Sequence, residues 1–379
     1  MSRAAVKAPV DAALRDTLLA RYGATFGTSD QHWRALAQAG AEAPGSADVV
    51  LCDGEADAAT LARLAAAGAT AIESEREGGR WIDTVRSPMG TWVFSAHADG
   101  DSAHSPAFTA VLLACLALHF PAHDALCLAR AWRPGSLDWP ADFARFPQVR
   151  HAALVAPEQP AAPFAPCPPL GLYAVVPSAA WIARLVPLGV PTVQLRFKSD
   201  DAQAVRGEIA RAADAARGSR ARLFINDHWR EAIALHAGFG NDSARSGIYG
   251  IHLGQEDLDE ADLGALRASG LRLGVSTHGY AEMLRVATIG PSYLALGAIF
   301  PTTTKVMPTA PQGMGRFQSY AKLMQPVIPS LVGIGGVDAA RLPEVLAVGV
   351  GSAAVVRAIT EAADVPAAVA NLLGMFPAG

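Results

Sequence analysis

Gly250-Ile-His-Leu-Gly-Gln-Glu-Asp257 carries four residues of strand character into a glycine, an amide and two acids. An apolar run that stops abruptly at polar, loop-prone residues reads as a β-strand whose end can hold a ligand. Its counterpart upstream, Phe224-Ile-Asn-Asp227, also ends on a carboxylate. Comparable runs begin near Leu170, Pro191, Arg222, Ile248, Leu271, Ser292, Pro326 and Gly351, with successive starts 21 to 34 residues apart. Nearly every gap holds a helical pattern, as over 201–217 and 258–268. Eight strand-plus-helix units predict an α/β fold, a small (β/α)8 barrel of TIM type over residues 170–377. An open, doubly wound sheet is the alternative, but it needs a break in the repeat at its switch point, and none is visible.

Upstream, residues 1–156 alternate alanine-rich helical patterns with short apolar runs at 48–52 and 91–94. Helices are expected over 57–67 and 106–119, which makes this part a small α/β module of unassigned role. Between the two parts, residues 157–169 contain six prolines, Pro157, Pro160, Pro163, Pro166, Pro168 and Pro169. Such a composition favours an extended spacer with few internal contacts, and the domain boundary is placed there.

A net charge of −4 over 379 residues argues against a nucleic-acid-binding surface. No stretch is long and apolar enough to span a bilayer, and Met1-Ser-Arg-Ala-Ala-Val-Lys7 is not followed by the apolar core of a secretory signal. A cytoplasmic protein with small-molecule partners, no membrane and no nucleic acid is therefore expected. Cys52, Cys115, Cys127 and Cys167 lack CxxC spacing. They read as free thiols rather than a zinc or redox site.

Chemistry in such barrels gathers at the C-terminal strand ends. In the second unit, strand alternation puts Gln194, Arg196 and Lys198 on one side, and two cations there suit an anion. A salt-bridged strand end is the alternative. Neighbouring strands run about 5 Å apart, so Asp227 and Asp257 can converge on one hard cation such as Mg2+. Alone, Asp257 would read as a cap for a helix starting at Leu258. The loop Phe300-Pro-Thr-Thr-Thr-Lys305 offers three hydroxyls and an ammonium group, and continues past Pro308, Pro311, Gly313 and Gly315 as a helix-poor, lid-like segment. Gly333-Ile-Gly-Gly336 and Val355-Val356-Arg357 end the last two strands, where backbone amides form a phosphate site. Two anion sites follow, one for a diphosphate with Mg2+ and three basic side chains, one for a monophosphate. His252 and His278 sit at strand ends and could touch substrate. His104, His228 and His236 show no partner in the sequence and read as structural.

These motifs, QLRFK at 194–198, FIND at 224–227, GIHLGQEDL at 250–258, GVSTH at 274–278, ALGAIFPTTTK ending at Lys305, APQG at 310–313, GIGG at 333–336 and AVVRAI at 354–359, make the segment from about 171 to 373 resemble the thiamine-phosphate synthase family. The resemblance implies a Mg2+-dependent condensation of 4-amino-2-methyl-5-hydroxymethylpyrimidine diphosphate with hydroxyethylthiazole phosphate, giving thiamine phosphate and pyrophosphate. It implies pyrimidine diphosphate contacts at Gln194, Leu195, Arg196, Phe197, Lys198, Asn226, Ser276 and Lys305, with Arg196, Lys198, Ser276 and Lys305 acting in catalysis. Mg2+ would sit on Asp227 and Asp257. Thr302, Thr303, Thr304, Gly336, Val356 and Arg357 would hold the thiazole phosphate, and the enzyme could form a homo-oligomer. Ionisation of the pyrimidine-methylene C–O bond would be followed by attack of the thiazole nitrogen, so no general acid-base pair is required.

This sequence departs from the family pattern at Phe197, at Arg357, where a serine is usual, and in the longer segment 238–247, expected at the far end of the barrel. A thiazole tautomerase of the same fold and a non-catalytic sensor of thiamine precursors are the competing readings. The intact set Arg196, Lys198, Asp227, Asp257 and Lys305 argues against the tautomerase. In the module, residues 103–112 and 124–132 resemble the end of hydroxymethylpyrimidine phosphate kinases. The phosphate-binding glycines are missing there and Pro106 stands about where a catalytic residue is expected, so a degenerate remnant without kinase activity is predicted.

Overall fold

The computed structural model describes residues 7–37, 44–98, 100–150, 162–302 and 310–377. Two compact units emerge, Met1–Glu158 with Gly279–Arg285, and Gln159–His278 with Val286–Gly379.

The first unit carries a six-stranded sheet in sequential order: β1 (Arg34–Leu36), β2 (Asp48–Asp53), β3 (Thr70–Glu77), β4 (Arg80–Ser87), β5 (Gly90–His97) and β6 (Gln148–Arg150). β1 to β3 pair in parallel and β3 to β6 antiparallel. The helix Pro106–Ala117 starts where Ser105 accepts the Phe108 N–H and a proline fills the first turn. Its interior is apolar on every side, and nine of its residues are buried, as befits a central helix. It stops short of the expected His119 because that residue takes a left-handed backbone, φ 65°. His104 gains the partner its sequence context did not reveal, with Nε2 lying 2.9 Å from Ser74 Oγ.

In the second unit, β7 (Gly171–Val176), β8 (Thr192–Leu195), β9 (Arg222–Asn226), β10 (Gly250–Leu253), β11 (Arg272–Thr277), β12 (Tyr293–Leu296), β13 (Leu331–Ile334) and β14 (Ser352–Val355) form a closed barrel. Every neighbour pair is parallel, and β14 closes onto β7. β13 begins at Leu331 rather than near Pro326, since Pro326 and Pro329 have no N–H to give a ladder. The expected helix over 258–268 is two short ones, Gln255–Glu260 and Leu263–Ala268, the second started by Asp262 accepting the Ala265 N–H.

The described part of the proline-rich segment is not a loosely attached spacer. Phe164 N–H donates to Gly290 O at 2.8 Å, Arg267 donates to Ala162 O and Arg272 to Pro166 O. Cys167 and Leu170 enter the barrel core itself. The longer segment 238–247 ends in a short helix, Ser243–Ser246, and leads into the N-terminal end of β10, away from the strand ends expected to carry chemistry. There His236 Nδ1 meets Ser246 Oγ at 2.8 Å. Among the described residues no helix is long and apolar enough to cross a membrane.

The barrel interior is filled by Tyr173, Phe224, Tyr293, Val332 and Ala354, with Tyr293 fully buried. Glycines in two strands make room for those rings. A Cβ on Gly274 would lie 2.1 Å from the Tyr293 ring, and one on Gly250 would lie 2.5 Å from Phe224. Gly274→Ala should therefore cost about 1–3 kcal/mol through overpacking. The expected result is a lower denaturant midpoint at unchanged slope.

Candidate active site

A cavity of about 700 Å3 opens among the C-terminal ends of the barrel strands. Gln194 reaches it from the last turn of β8, and Arg196 and Lys198 reach it from the loop beyond, because the strand itself stops at Leu195. Arg196 N–H donates to Val176 O at 2.8 Å, which holds this loop against β7. Leu195 is buried in the wall, and Phe197 gives its carbonyl to His228 Nε2 at 2.9 Å; neither is among the residues lining the cavity. His228 thus has a structural partner.

β9 ends at Asn226, and Asp227 follows in a left-handed backbone, φ 64°, a conformation that few non-glycine residues hold without compensation. Compensation is visible: Asp227 N–H donates to His252 O at 3.0 Å, and Lys198 Nζ lies 2.6 Å from Asp227 Oδ2. Burial opposes ionisation of Asp227, but the Lys198 hydrogen bond and charge prevail and hold its carboxyl below the usual range. Asp257 shows the opposite shift. Burial and the neighbouring Asp227 charge raise its carboxyl above the usual range.

Asp257 does not cap a helix beginning at Leu258. It stands in the first turn of the helix Gln255–Glu260, and its Oδ2 reaches back to Gly254 N–H at 3.3 Å. Capping and cavity lining are therefore combined in one carboxylate. Among the described residues no cluster of three or more His, Cys, Asp or Glu could hold a metal. Two facing carboxylates, one resisting ionisation because of the other, fit a hard cation that completes its shell with ligand and water oxygens.

The middle strands bring further polar groups. Ser276 on β11 lines the cavity, and its Oγ lies 2.9 Å from His252 Nε2; Gln255 Nε2 donates to Ser276 O at 2.8 Å. His252 and His278 both line the cavity, as their strand-end positions suggested.

At the far wall the loops after β12 and β13 are sewn together. Ile299 N–H donates to Ile334 O and Phe300 N–H to Gly335 O, at 2.9 and 3.0 Å. Gly336, φ 67°, permits this approach, since a Cβ there would lie 2.7 Å from Pro301 O. Gly336, Val356 and Arg357 line the cavity, with Arg357 opening the helix Arg357–Thr360. Among the described residues the Arg357 side chain has no ion pair or hydrogen bond. Thr302 also lines the cavity, while Thr303, Thr304 and Lys305 lie outside the described residues. Of the segment read as helix-poor, residues 303–309 lie outside the described residues, and Gly313 and Gly315 belong to the helix Gly313–Met324. Gln312, just before it, donates through Nε2 to His278 O and Gly297 O.

Four charged residues on the wall were not singled out from the sequence: Glu256, Asp338, Arg341 and Glu361. Arg341 donates to Gly336 O at 2.8 Å and lies 4.8 Å over the Phe300 ring. Its place after a glycine turn was the only available signal, and a charge in a turn is too common to be informative.

Residues 172–359 match the thiamine monophosphate synthase family. A thiamine-phosphate synthase of Neisseria meningitidis serogroup B is 54% identical over 201 residues, covering 53% of this chain and 92% of the relative. One of Photorhabdus laumondii is 50% identical, covering 56% of this chain and 94% of the relative. The structure of a thiamine phosphate pyrophosphorylase from Pyrococcus furiosus aligns at 25% identity with a TM-score of 0.45, covering 54% of this chain and 95% of that one. With more than nine-tenths of two relatives matched at about half identity, the chain belongs to the thiamine-phosphate synthase family, transferases of thiamine biosynthesis.

Proposed function

We propose that the barrel cavity joins 4-amino-2-methyl-5-hydroxymethylpyrimidine diphosphate to hydroxyethylthiazole phosphate with the residue roles that follow. One observation carries the reading: Arg196, Lys198 and the Asp227–Asp257 pair share a single cavity with the glycine-built loop at Gly335–Gly336. The first set arises on β8 to β10 and the second on β12 to β14, on opposite sides of the barrel.

Gln194, Asn226 and Ser276 hold the pyrimidine. Arg196, Lys198 and Lys305 take its diphosphate, and Asp227 with Asp257 would hold Mg2+. Gly336, Val356 and Arg357, with Thr302 to Thr304, receive the thiazole phosphate. Ionisation of the pyrimidine-methylene C–O bond sends its electron pair to the departing pyrophosphate, and the thiazole nitrogen then supplies the pair that forms the new C–N bond. The side chains work by stabilising charge that grows on the leaving group, and by keeping the thiazole aimed at the carbon. When bound, Mg2+ supplies further positive charge at the leaving oxygens. Leu195 and Phe197 act as wall and backbone rather than as side-chain contacts.

A tautomerase acting on a thiazole phosphate would have no use for the Arg196, Lys198, Asp227 and Asp257 set. For the first unit, the absence of kinase activity fits the start of the helix Pro106–Ala117, where Ser105 occupies the Phe108 N–H that a phosphate would need. We place the enzyme in the cytoplasm with its two small-molecule substrates.

Thiamine phosphate should form from the two purified precursors only with Mg2+, and a chelator should abolish the product until Mg2+ is returned. No product under these conditions would overturn the synthase reading. Asp227→Ala should lower turnover about a hundredfold or more with the fold retained, and near-wild-type turnover would remove the metal role. Arg357→Ser should raise the KM for the thiazole phosphate about tenfold, the loss of one charge-assisted contact, while the pyrimidine KM stays put. An unchanged thiazole KM would remove the contact, and a lower one would show that the arginine obstructs the site.

A further inference from the structure

A continuous run of side chains passes beneath the cavity, from one proposed pyrimidine contact to another. Gln194 Nε2 donates to Tyr173 OH at 2.9 Å, and the hydroxyls of Tyr173 and Tyr293 stand 2.8 Å apart. Tyr293 OH lies 2.7 Å from His252 Nδ1, and His252 Nε2 lies 2.9 Å from Ser276 Oγ. The tyrosines are 1% and 0% exposed, Gln194 4% and His252 5%. Gln194 and Ser276, the two ends, line the cavity; the tyrosines do not.

With the Gln194 amide nitrogen turned to Tyr173, as it stands here, the run has one direction in which every proton is used. An amide NH2 can only donate, so Tyr173 accepts from Gln194 and must pass its single proton to Tyr293. Tyr293 then donates to His252 Nδ1. His252, accepting there, carries its proton on Nε2 and donates it to Ser276 Oγ. Burial pushes both phenols above their ordinary range, so neither drops out of the run by ionising near neutrality. In that direction Gln194 keeps its carbonyl Oε1 for the cavity as an acceptor, and Ser276 keeps its hydroxyl proton as a donor.

We infer that the Gln194–Tyr173–Tyr293–His252–Ser276 run fixes the hydrogen-bond polarity of the cavity, one acceptor and one donor, and so selects an aminopyrimidine over its oxo counterpart. An aminopyrimidine presents an amine N–H and an unprotonated ring nitrogen, which match. The oxo ring presents a carbonyl and a ring N–H, which meet an acceptor and a donor in the wrong order. Mismatched buried polar groups discriminate more strongly than missing apolar contact does. Tyr173, Tyr293 and His252 are positioning residues here, acting through Gln194 and Ser276. The inference rests on the pyrimidine placement proposed above.

The test uses the full chain with Tyr173→Phe and Tyr293→Phe. For each, kcat/KM is measured with the 4-amino pyrimidine diphosphate and with its 4-oxo counterpart. Cutting the run frees the Gln194 amide to turn over, or the His252 proton to move to Nδ1. The amino-over-oxo preference should then fall about tenfold or more, one hydrogen bond of the right sense, with the thiazole phosphate KM within about twofold of wild type. A purely structural loss would slow both substrates alike and keep the ratio. Folded variants with the wild-type ratio would overturn the inference. Should neither variant fold, the tautomer of His252 in the unaltered protein decides by nitrogen-15 NMR, with Nε2–H expected and Nδ1–H overturning it. That spectrum needs no turnover, so the inference can fail while the synthase reading stands; absence of product from the wild type sinks that reading instead.

Discussion

The ring of Tyr293 lies on the bare backbone of Gly274, and the rest of the barrel depends on that contact. A strand glycine costs conformational entropy and buries no side chain. Here it admits a fully buried aromatic ring into the barrel interior, beside Phe224 and Tyr173. Tyr293 packs edge to face with both others, at 5.2 Å between centroids from Phe224 and 5.9 Å from Tyr173, and Tyr173 and Phe224 meet at a tilt. The three rings fill the barrel below the cavity. The hydroxyls of Tyr173 and Tyr293 face one another rather than being stranded, which keeps a polar layer inside an apolar core from becoming a penalty.

Above that floor, electrostatics replaces packing as the organising constraint. β9 ends in a left-handed residue, which turns Asp227 back toward Lys198 and Asp257. The carboxylates shift in opposite directions for one reason: Lys198 stabilises the charge on Asp227, and the charged Asp227 then resists a second charge on Asp257. The wall proposed for the thiazole phosphate is built differently, from glycines in which a Cβ would strike the next loop. One wall is lined by charged side chains, the other shaped by close backbone.

Much of this was legible in the sequence, and the gaps have physical causes. The eight strands were visible because each apolar run ends in polar or glycine-rich residues, and seven starts fell within a few residues of the observed ones. The late start of β13 follows from two prolines that the apolar pattern masked. The proline-rich segment was misread because missing N–H groups suggest a strand of chain that bonds to nothing. Its carbonyls remain, and those of Ala162 and Pro166 accept from Arg267 and Arg272. Gln194, Arg196, Lys198, Asp227 and Asp257 were picked out through polarity and position, and all five line the cavity. The run through Tyr173, Tyr293 and His252 was not, because it crosses several strands and depends on register, which no single stretch encodes. Gly274 likewise reads as a weak spot in a strand until its neighbour Tyr293 is known.

Pairing Lys198 with Asp227 also bears on turnover. A pocket lined with unpaired cations would bind a diphosphate well and pyrophosphate nearly as well, and tight product binding does nothing to lower the barrier. With Lys198 already 2.6 Å from a carboxylate, its attraction for any polyanion is offset before the ligand arrives. Arg196, by contrast, makes no ion pair or hydrogen bond through its side chain among the described residues. On the proposed roles, one cation is committed to the ligand and the other is shared with the metal ligand. On those roles, charge growing on the leaving group competes with Asp227 for Lys198, so part of the Lys198 attraction is realised only as the C–O bond breaks.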